Sequence, residues 1–229
     1  MIAKKKTFAL GAGLMAVFAA VLVVIFMPVF SGLNGLNYLD ALYNSISKGS
    51  AYKNIKDMQA KVPPFVGSRV DLTLDMRSEQ AAQQASQQFQ KGDALVNVDG
   101  TTLKVSGDLG KILGNCLADA ELMYANNGAA VKDKYGFDER QVLYNWWVAC
   151  KEMDKDLTKQ KAFKNAKITA DLNARAVEMA YNYYGIAPQN IGDRIGVVIF
   201  SLIFYVAYTL WYGFGIMYMF EGWGLQLEH

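Results

Sequence analysis

The uncharged run "IGVVIFSLIFYVAYTLWYGFGIMYMF" at residues 195–220 decides the architecture of this chain. A helix needs about 20 apolar residues to cross a hydrocarbon core that is about 30 Å thick. This run is longer than that, and a second uncharged run extends from Thr7 to Leu39 near the other end of the sequence. The two runs predict two transmembrane helices on either side of a polar middle region.

Three lysines set the expected orientation. Lys4, Lys5 and Lys6 directly precede the first run, and basic residues beside a span favour the cytoplasmic side. We therefore expect a bacterial inner (cytoplasmic) membrane protein with both termini in the cytoplasm and the central domain in the periplasm. The expected parts are the N-terminus with the first span (1–30), an extracytoplasmic domain (31–194), the second span (195–222) and a short tail (223–229).

The rival interpretation of the first run is a cleaved signal peptide. Such a peptide has an apolar core of about 7–15 residues followed by a small-residue cleavage site. The stretch Phe8–Phe26 is longer and no such site follows, so an uncleaved anchor is favoured. At the other end, the sequence Leu-Glu-His at 227–229 matches the start of many vector-encoded histidine tags and receives no functional weight.

The middle region predicts short helices and a small strand, helix and hairpin unit. Apolar residues at three- and four-residue spacing predict a helix that Gly49 ends and a second helix that the Pro63-Pro64 pair stops. Alternation over 70–76 predicts a strand, and Ser78 caps a helix that reaches Gly92. Two β-prone arms then flank Asp99-Gly100, a pair typical of a type I′ turn.

The rest of the middle region predicts helices with apolar stripes. One stripe begins at Leu109 and ends before Asn127-Gly128, and a second helix starts at the N-cap Asp138. A final stretch from Phe163 to Tyr184 predicts two helices or one long bent helix. The predicted fold class is thus a membrane-anchored α+β protein whose extracytoplasmic domain is mostly helical.

Composition and motifs argue against most enzyme classes. The net charge of +2 and the mixed charges give no basic stripe for nucleic acid. The single histidine is the last residue, so a serine or cysteine nucleophile lacks its usual base. No zinc, haem-attachment or phosphate-loop motif occurs, so we expect no cofactor, no metal and no catalysis.

The two cysteines leave two alternatives open. Cys116 and Cys150 each lie on the apolar stripe of a predicted helix. In an oxidising compartment they would form a disulfide between neighbouring helices, and otherwise they would be buried thiols that pack as small apolar groups.

The pair Trp146-Trp147, with Tyr144 nearby, has a similar ambiguity. Adjacent tryptophans at the start of a helix usually divide between the core and its rim, which favours core packing over a ligand platform. One of the two rings must then point away from the main stripe, where it is a candidate interface residue.

The spans contain candidate helix-contact residues. Small residues four apart allow another helix to approach closely, and tyrosine hydroxyls near mid-bilayer need hydrogen-bond partners. The candidates are Ala12, Ala16 and Ala20 in the first span and Tyr205, Tyr208 and Tyr212 in the second. They predict contacts with membrane lipid and with other membrane protein subunits or further copies of the chain. The alternative is that the tyrosine hydroxyls bond to backbone carbonyls, Ser201 or Thr209 of their own helix.

These observations predict a non-enzymatic accessory or scaffolding subunit of a membrane assembly, or a homo-oligomer. An extracytoplasmic ligand sensor that signals through a partner and an oligomeric channel are the alternatives. The order of span, domain and span resembles the sensory half of bacterial chemoreceptors in outline. Because few residues follow Glu221, we expect no output domain beyond the second span.

Overall fold

The computed structural model describes residues 2–225 of the chain, which form a mostly helical α+β protein with a small three-stranded sheet. Its contacts divide the chain into two compact units. One unit contains both ends of the chain, Met1–Ile46 and Pro188–His229, and the other contains Ser47–Ala187. The Leu-Glu-His sequence at 227–229, for which a tag and a native end are equal alternatives, lies outside the described residues.

The first unit contains the two long apolar helices, α1 (Lys5–Phe26) and α9 (Ile191–Trp223). Both are long and apolar enough to cross a membrane, and only 6% of each apolar window is buried inside the structure. The core helix of a soluble protein would be mostly buried. Helix α9 begins four residues before the predicted span because the Asn190 side chain accepts a hydrogen bond from the Gly192 amide at 2.9 Å.

Helices α1 and α9 pack against each other in antiparallel directions. The backbone amide of Lys4 donates to the carbonyl of Gly222 at 2.9 Å, at the start of one helix and the end of the other. Further along, the ring of Phe18 stacks on Tyr208 with 4.2 Å between centroids. The two helices therefore form a hairpin in which the start of α1 lies beside the end of α9.

Helix α2 (Gly35–Lys61) is continuous, so the predicted break at Gly49 is wrong. An interior glycine costs a helix about 1 kcal/mol relative to alanine, which tertiary contacts readily outweigh. The neighbouring Lys48 makes such contacts, because its ammonium donates hydrogen bonds to Asn126 and to two backbone carbonyls. The Pro63-Pro64 stop is confirmed, since these residues begin a single 3₁₀ turn directly after the helix.

The first turns of α2 belong to the same unit as the hairpin. Leu42 and Ile46 pack with Val198 of α9 in a small apolar cluster. Beside that cluster, the hydroxyls of Tyr43 and Ser201 share a hydrogen bond of 2.7 Å.

The sheet lies in the second unit and consists of β1 (Arg69–Asp75), β2 (Leu95–Asp99) and β3 (Thr102–Asp108). Both pairings are antiparallel, and β3 is the central strand. The alternation predicted for β1 is confirmed, with its even-numbered side chains buried and its odd-numbered ones exposed. The hairpin also exists, but Asp99 pairs with Thr102 and only Gly100 has a positive φ, whereas a type I′ turn requires two such residues.

The second unit, which the structure describes in full, also contains six helices. They are α3 (Glu79–Lys91), α4 (Leu109–Tyr124), α5 (Gly128–Tyr135), α6 (Glu139–Lys159), α7 (Phe163–Leu172) and α8 (Glu178–Tyr183). Of these, α3, α4 and α6 pack against the strands. The predicted caps are confirmed, because Ser78 accepts from the Ala81 amide and Asp138 from the Gln141 amide. The pair Asn127-Gly128 predicts the end of a helix, whereas in the structure it also begins the short helix α5.

A π-helical turn joins α7 and α8. Residues Asn173–Val177 form this turn, so the final stretch of the middle region is one continuous helix rather than two separate ones. A π turn inserts an extra residue into the helical repeat and rotates the residues after it by about 100° relative to an uninterrupted α-helix. Val177 and Glu178 thereby present a different face from the one that the 3.6-residue period would give.

Candidate functional site

Helix α6 divides its adjacent tryptophans between the core and the surface. Trp146 is 1% exposed and packs edge-on against Phe89, with 5.4 Å between ring centroids. Trp147, one residue later and therefore about 100° around the helix, is half-buried at the rim. Its ring is stacked beside Tyr144 at 5.8 Å, because these residues are three apart on the same face.

A groove of about 290 Å³ opens beside Trp147 in the second unit. One wall comes from α6 and the other from the end of the π turn and from α8. The lining residues are Tyr144, Trp147, Val177, Glu178, Tyr181 and Asn182. Three aromatic side chains therefore surround one carboxylate and one amide.

The Glu178 carboxylate joins the two walls. The indole N–H of Trp147 donates a hydrogen bond of 2.8 Å to Oε1 of Glu178. Among residues 2–225, no Lys or Arg nitrogen lies within ion-pair distance of this carboxylate. The π turn immediately precedes Glu178, so it changes which residues of α8 face α6 relative to an uninterrupted α-helix.

Two cations lie over the aromatic rings at the border of the groove. The ammonium of Lys151 is 3.7 Å from the centroid of the Trp147 ring. The guanidinium of Arg77 lies 5.7 Å from the rings of both Tyr144 and Trp147, and it donates to the Tyr144 hydroxyl at 2.7 Å. The rings thus already bind positive charge through their faces.

A second polar cluster, centred on Asp119, is buried in the core. This carboxylate is 0% exposed and accepts hydrogen bonds from Lys134 at 2.6 Å, Tyr135 at 2.6 Å and the indole of Trp146 at 2.8 Å. Lys134 also donates to the amide oxygen of Asn115 at 2.6 Å. Burial, and secondarily the adjacent Asp119 charge, raises the pKa of Tyr135, so its hydroxyl remains a donor.

Sequence reasoning missed this cluster, although a signal was present. The apolar stripe of α4 includes Ile112 and Cys116, and Asp119 follows at the spacing of the same face. An acidic residue on a buried stripe requires donors, and unpredicted α5 supplies two of them. The Asp119 carboxylate at its centre is enclosed by the core, while Lys134 and Asn115 are partly exposed, so a structural role fits the cluster best.

Lys48 is a third buried polar feature, and sequence reasoning missed it as well. The residue is 1% exposed, and its ammonium donates to Asn126 at 2.9 Å, to the Tyr183 carbonyl at 3.0 Å and to the Ile186 carbonyl at 2.7 Å. All three acceptors are neutral, and burial lowers the pKa of Lys48. The Tyr124 hydroxyl donates in turn to the Lys48 carbonyl. This arrangement fixes the segment after α8 against α2 and α4.

The disulfide alternative for the cysteines is not what the structure shows. Cys116 and Cys150 are buried free thiols on facing helices, and their sulfurs are not at disulfide distance. Burial, and then the neighbouring Cys150 thiol, raises the pKa of the Cys116 thiol. A raised pKa keeps the thiol protonated, which is the unreactive form.

The close contact between α1 and α9 is made by other residues than the predicted row of alanines, Ala12, Ala16 and Ala20. A Cβ added to Gly11 would lie 2.6 Å from the Met219 amide nitrogen and 2.8 Å from the Gly215 carbonyl, so the helices meet at glycine. Ala12 is half-buried, whereas Ala16 and Ala20 are exposed on α1.

The three tyrosines of α9 also separate. Tyr208 and Tyr212 both pack on Phe18 of the same hairpin. Tyr205 is 69% exposed. Tyr212 is 44% exposed, so Tyr205 is the most exposed of the three.

Within residues 2–225, no cluster of three or more His, Cys, Asp or Glu residues is arranged to hold a metal ion. Comparison with known protein families, with characterised proteins and with solved structures gave no match to this chain. The function is therefore argued from the geometry of the hairpin and of the groove.

Proposed function

We propose that this chain is a non-enzymatic two-pass protein of the bacterial inner membrane that acts through protein–protein contacts. In this proposal the hairpin of α1 and α9 spans the bilayer and holds the domain between them on the periplasmic side. The chain would serve as an accessory or scaffolding subunit, or assemble with copies of itself.

The observation that carries the proposal is the antiparallel hairpin with its exposed apolar surface. A helix pair that is 6% buried over each apolar window needs a nonpolar environment, which a bilayer provides. The glycine contacts and the Lys4–Glu221 ion pair of 2.8 Å close the hairpin on itself. Apart from the part of α9 that the start of α2 covers, the outward surface of the hairpin is exposed and available to lipid and to other helices.

Contact with another chain is supported by Tyr205 together with the small residues of α1. A tyrosine hydroxyl facing hydrocarbon is costly unless it is hydrogen-bonded, and this side chain points away from the helix's own partner. Ala16 and Ala20 give α1 an exposed surface with little side-chain bulk, which suits close helix approach.

The test is site-specific photo-crosslinking of the full chain in its native membrane. We expect a photoreactive phenylalanine at Tyr205 to give one reproducible adduct with another membrane protein or a second copy. The same probe at Met15, which packs beside Gly215 inside the hairpin, is the control and should react within the chain. No adduct from position 205, with a monomeric native mass in several mild detergents, would overturn the proposal.

The ligand-sensor alternative is favoured by one observation, the aromatic groove of the second unit. The three aromatic side chains and the Glu178 carboxylate form a concave site of the kind that binds small molecules. The chemistry of that site can be argued independently of the membrane.

A further inference from the structure

We infer that the groove formed by Tyr144, Trp147, Glu178 and Tyr181 is a binding site for a small organic cation of the quaternary or methylated ammonium class. The inference goes beyond the proposed scaffolding role. It rests on residues of the second unit alone, so it does not depend on membrane insertion.

Three aromatic rings line the walls of the groove. Aromatic faces carry negative potential and attract ammonium groups, and an aromatic cage with a carboxylate is the common solution for quaternary ammonium recognition. Here Tyr144, Trp147 and Tyr181 supply the rings, and Val177 adds an apolar surface for methyl groups.

The groove also contains a negative charge, the carboxylate of Glu178. The Trp147 indole bonds one oxygen of Glu178 and fixes its orientation, while no basic residue among those described pairs with it. A bound cation would supply the missing counter-charge. An anionic ligand would instead be repelled by Glu178 at short range.

Two basic residues at the border of the groove already lie over its aromatic rings. Lys151 and Arg77 show that these rings attract cations, since both lie over ring faces. Their side chains are exposed, so salt and water screen their repulsion of a ligand. Lys151 therefore acts as a competitor for the Trp147 ring, and its removal should strengthen binding.

The size of the groove limits the ligand. A volume of about 290 Å³ is at the small end of the range for sites that hold drug-sized molecules. A head group with a few methyl substituents fits this volume, whereas a long or branched ligand would extend into solvent.

The experiment compares choline with 3,3-dimethylbutan-1-ol, its neutral isostere, as ligands of the full chain in a nonionic detergent that carries no choline head group. Binding is measured by calorimetry and by saturation transfer to the methyl protons of each ligand. We expect choline to bind and the neutral alcohol to bind at least about tenfold more weakly.

Variants then assign the site. Glu178→Gln and Tyr181→Ala should each weaken choline binding by about tenfold, and Lys151→Gln should strengthen it. Asp93→Asn, which removes a carboxylate of a surface ion pair, is the control and should leave binding unchanged. Near-ultraviolet circular dichroism checks that each variant remains folded.

Three results would overturn the inference. Equal binding of choline and the alcohol would show an apolar groove without cation recognition. Absence of choline binding to the folded wild-type chain would remove the site. Binding that Glu178→Gln and Tyr181→Ala leave unchanged would place the choline elsewhere.

Discussion

At the scale of single residues, the buried Asp119 has the largest expected effect on stability. Asp119→Ala leaves the donors of Lys134, Tyr135 and Trp146 without their shared acceptor in the core. Removing one partner of a buried ion pair typically costs about 3–5 kcal/mol. We expect a loss of that order in the free energy of unfolding, measured by urea titration of the full chain in nonionic detergent.

The matched control is Asp93→Asn at the surface, since asparagine tolerates the left-handed backbone of this position, where φ is 59°. Asp93 also pairs with a lysine, Lys111, at 3.0 Å, but its side chain is 71% exposed. Exposed pairs contribute about 0–1 kcal/mol, so this variant should unfold at nearly the wild-type urea concentration. Equal losses for the two variants would contradict the role given to the buried cluster.

Tyr124 predicts a dependence of stability on alkaline pH. Burial, and then proximity to Tyr183 and Tyr52, raises its pKa to about 12 from an ordinary value near 10. Between these values the unfolded chain has lost the proton that the folded chain keeps, so the stability that this tyrosine provides is lost as the pH rises.

The test compares wild type with Tyr124→Phe by thermal unfolding from pH 9 to pH 12. The variant lacks the hydrogen bond to the Lys48 carbonyl and should melt at a lower temperature at pH 9. The gap should narrow toward pH 12, because the phenylalanine has no proton to lose. A gap that stays constant or widens over this range would contradict the assignment.

At the scale of secondary-structure elements, two glycines of α1 provide a matched pair. Gly11 faces Gly215 and Met219 of α9, whereas nothing lies within 4 Å of a Cβ added to Gly13. Gly11→Leu should therefore separate the helices at a cost of about 1–3 kcal/mol, while Gly13→Leu should leave the hairpin intact.

The measurement is crosslinking of Lys4→Cys to Glu221→Cys with a short bismaleimide, combined with thermal unfolding in detergent. These positions are joined by an ion pair of 2.8 Å in the folded hairpin. The crosslink yield should fall in the Gly11→Leu background and persist with Gly13→Leu. Loss in both backgrounds, or in neither, would show that the helices do not meet at Gly11.

The elements that the sequence predicted well are those with strong local signals. Alternation gave β1, and the caps Ser78 and Asp138 gave the starts of α3 and α6, because these signals depend on neighbouring residues alone. Gly49 was misleading because long-range contacts of Lys48 hold the helix together across it.

The candidate groove was harder to predict than the elements that form it. The split between Trp146 and Trp147 follows from helical geometry, and the sequence indicated it. The opposite wall of the groove does not follow from regular helical geometry, because a π turn changes which residues of α8 face α6. No periodicity in the sequence marks that turn, so Glu178 and Tyr181 could not be assigned to the site beforehand.

At the scale of the whole molecule, the antiparallel hairpin makes a prediction about topology. If α1 and α9 cross a bilayer as a pair, both chain ends lie on one side and residues 27–190 emerge on the other. The three lysines at 4–6 favour the cytoplasm for the chain ends. Ile2→Cys and Leu225→Cys should then be protected from a membrane-impermeant maleimide in intact spheroplasts and react after lysis.

Leu95→Cys provides the opposite readout, because Leu95 is 79% exposed on the sheet and should react before lysis. The wild-type chain is its own control, since Cys116 and Cys150 are buried and should not react in either sample. Labelling of Leu95→Cys only after lysis would place the domain in the cytoplasm. Labelling of Ile2→Cys and Leu225→Cys on opposite sides would exclude the hairpin as a membrane-spanning pair, because an antiparallel pair brings both ends to the same face.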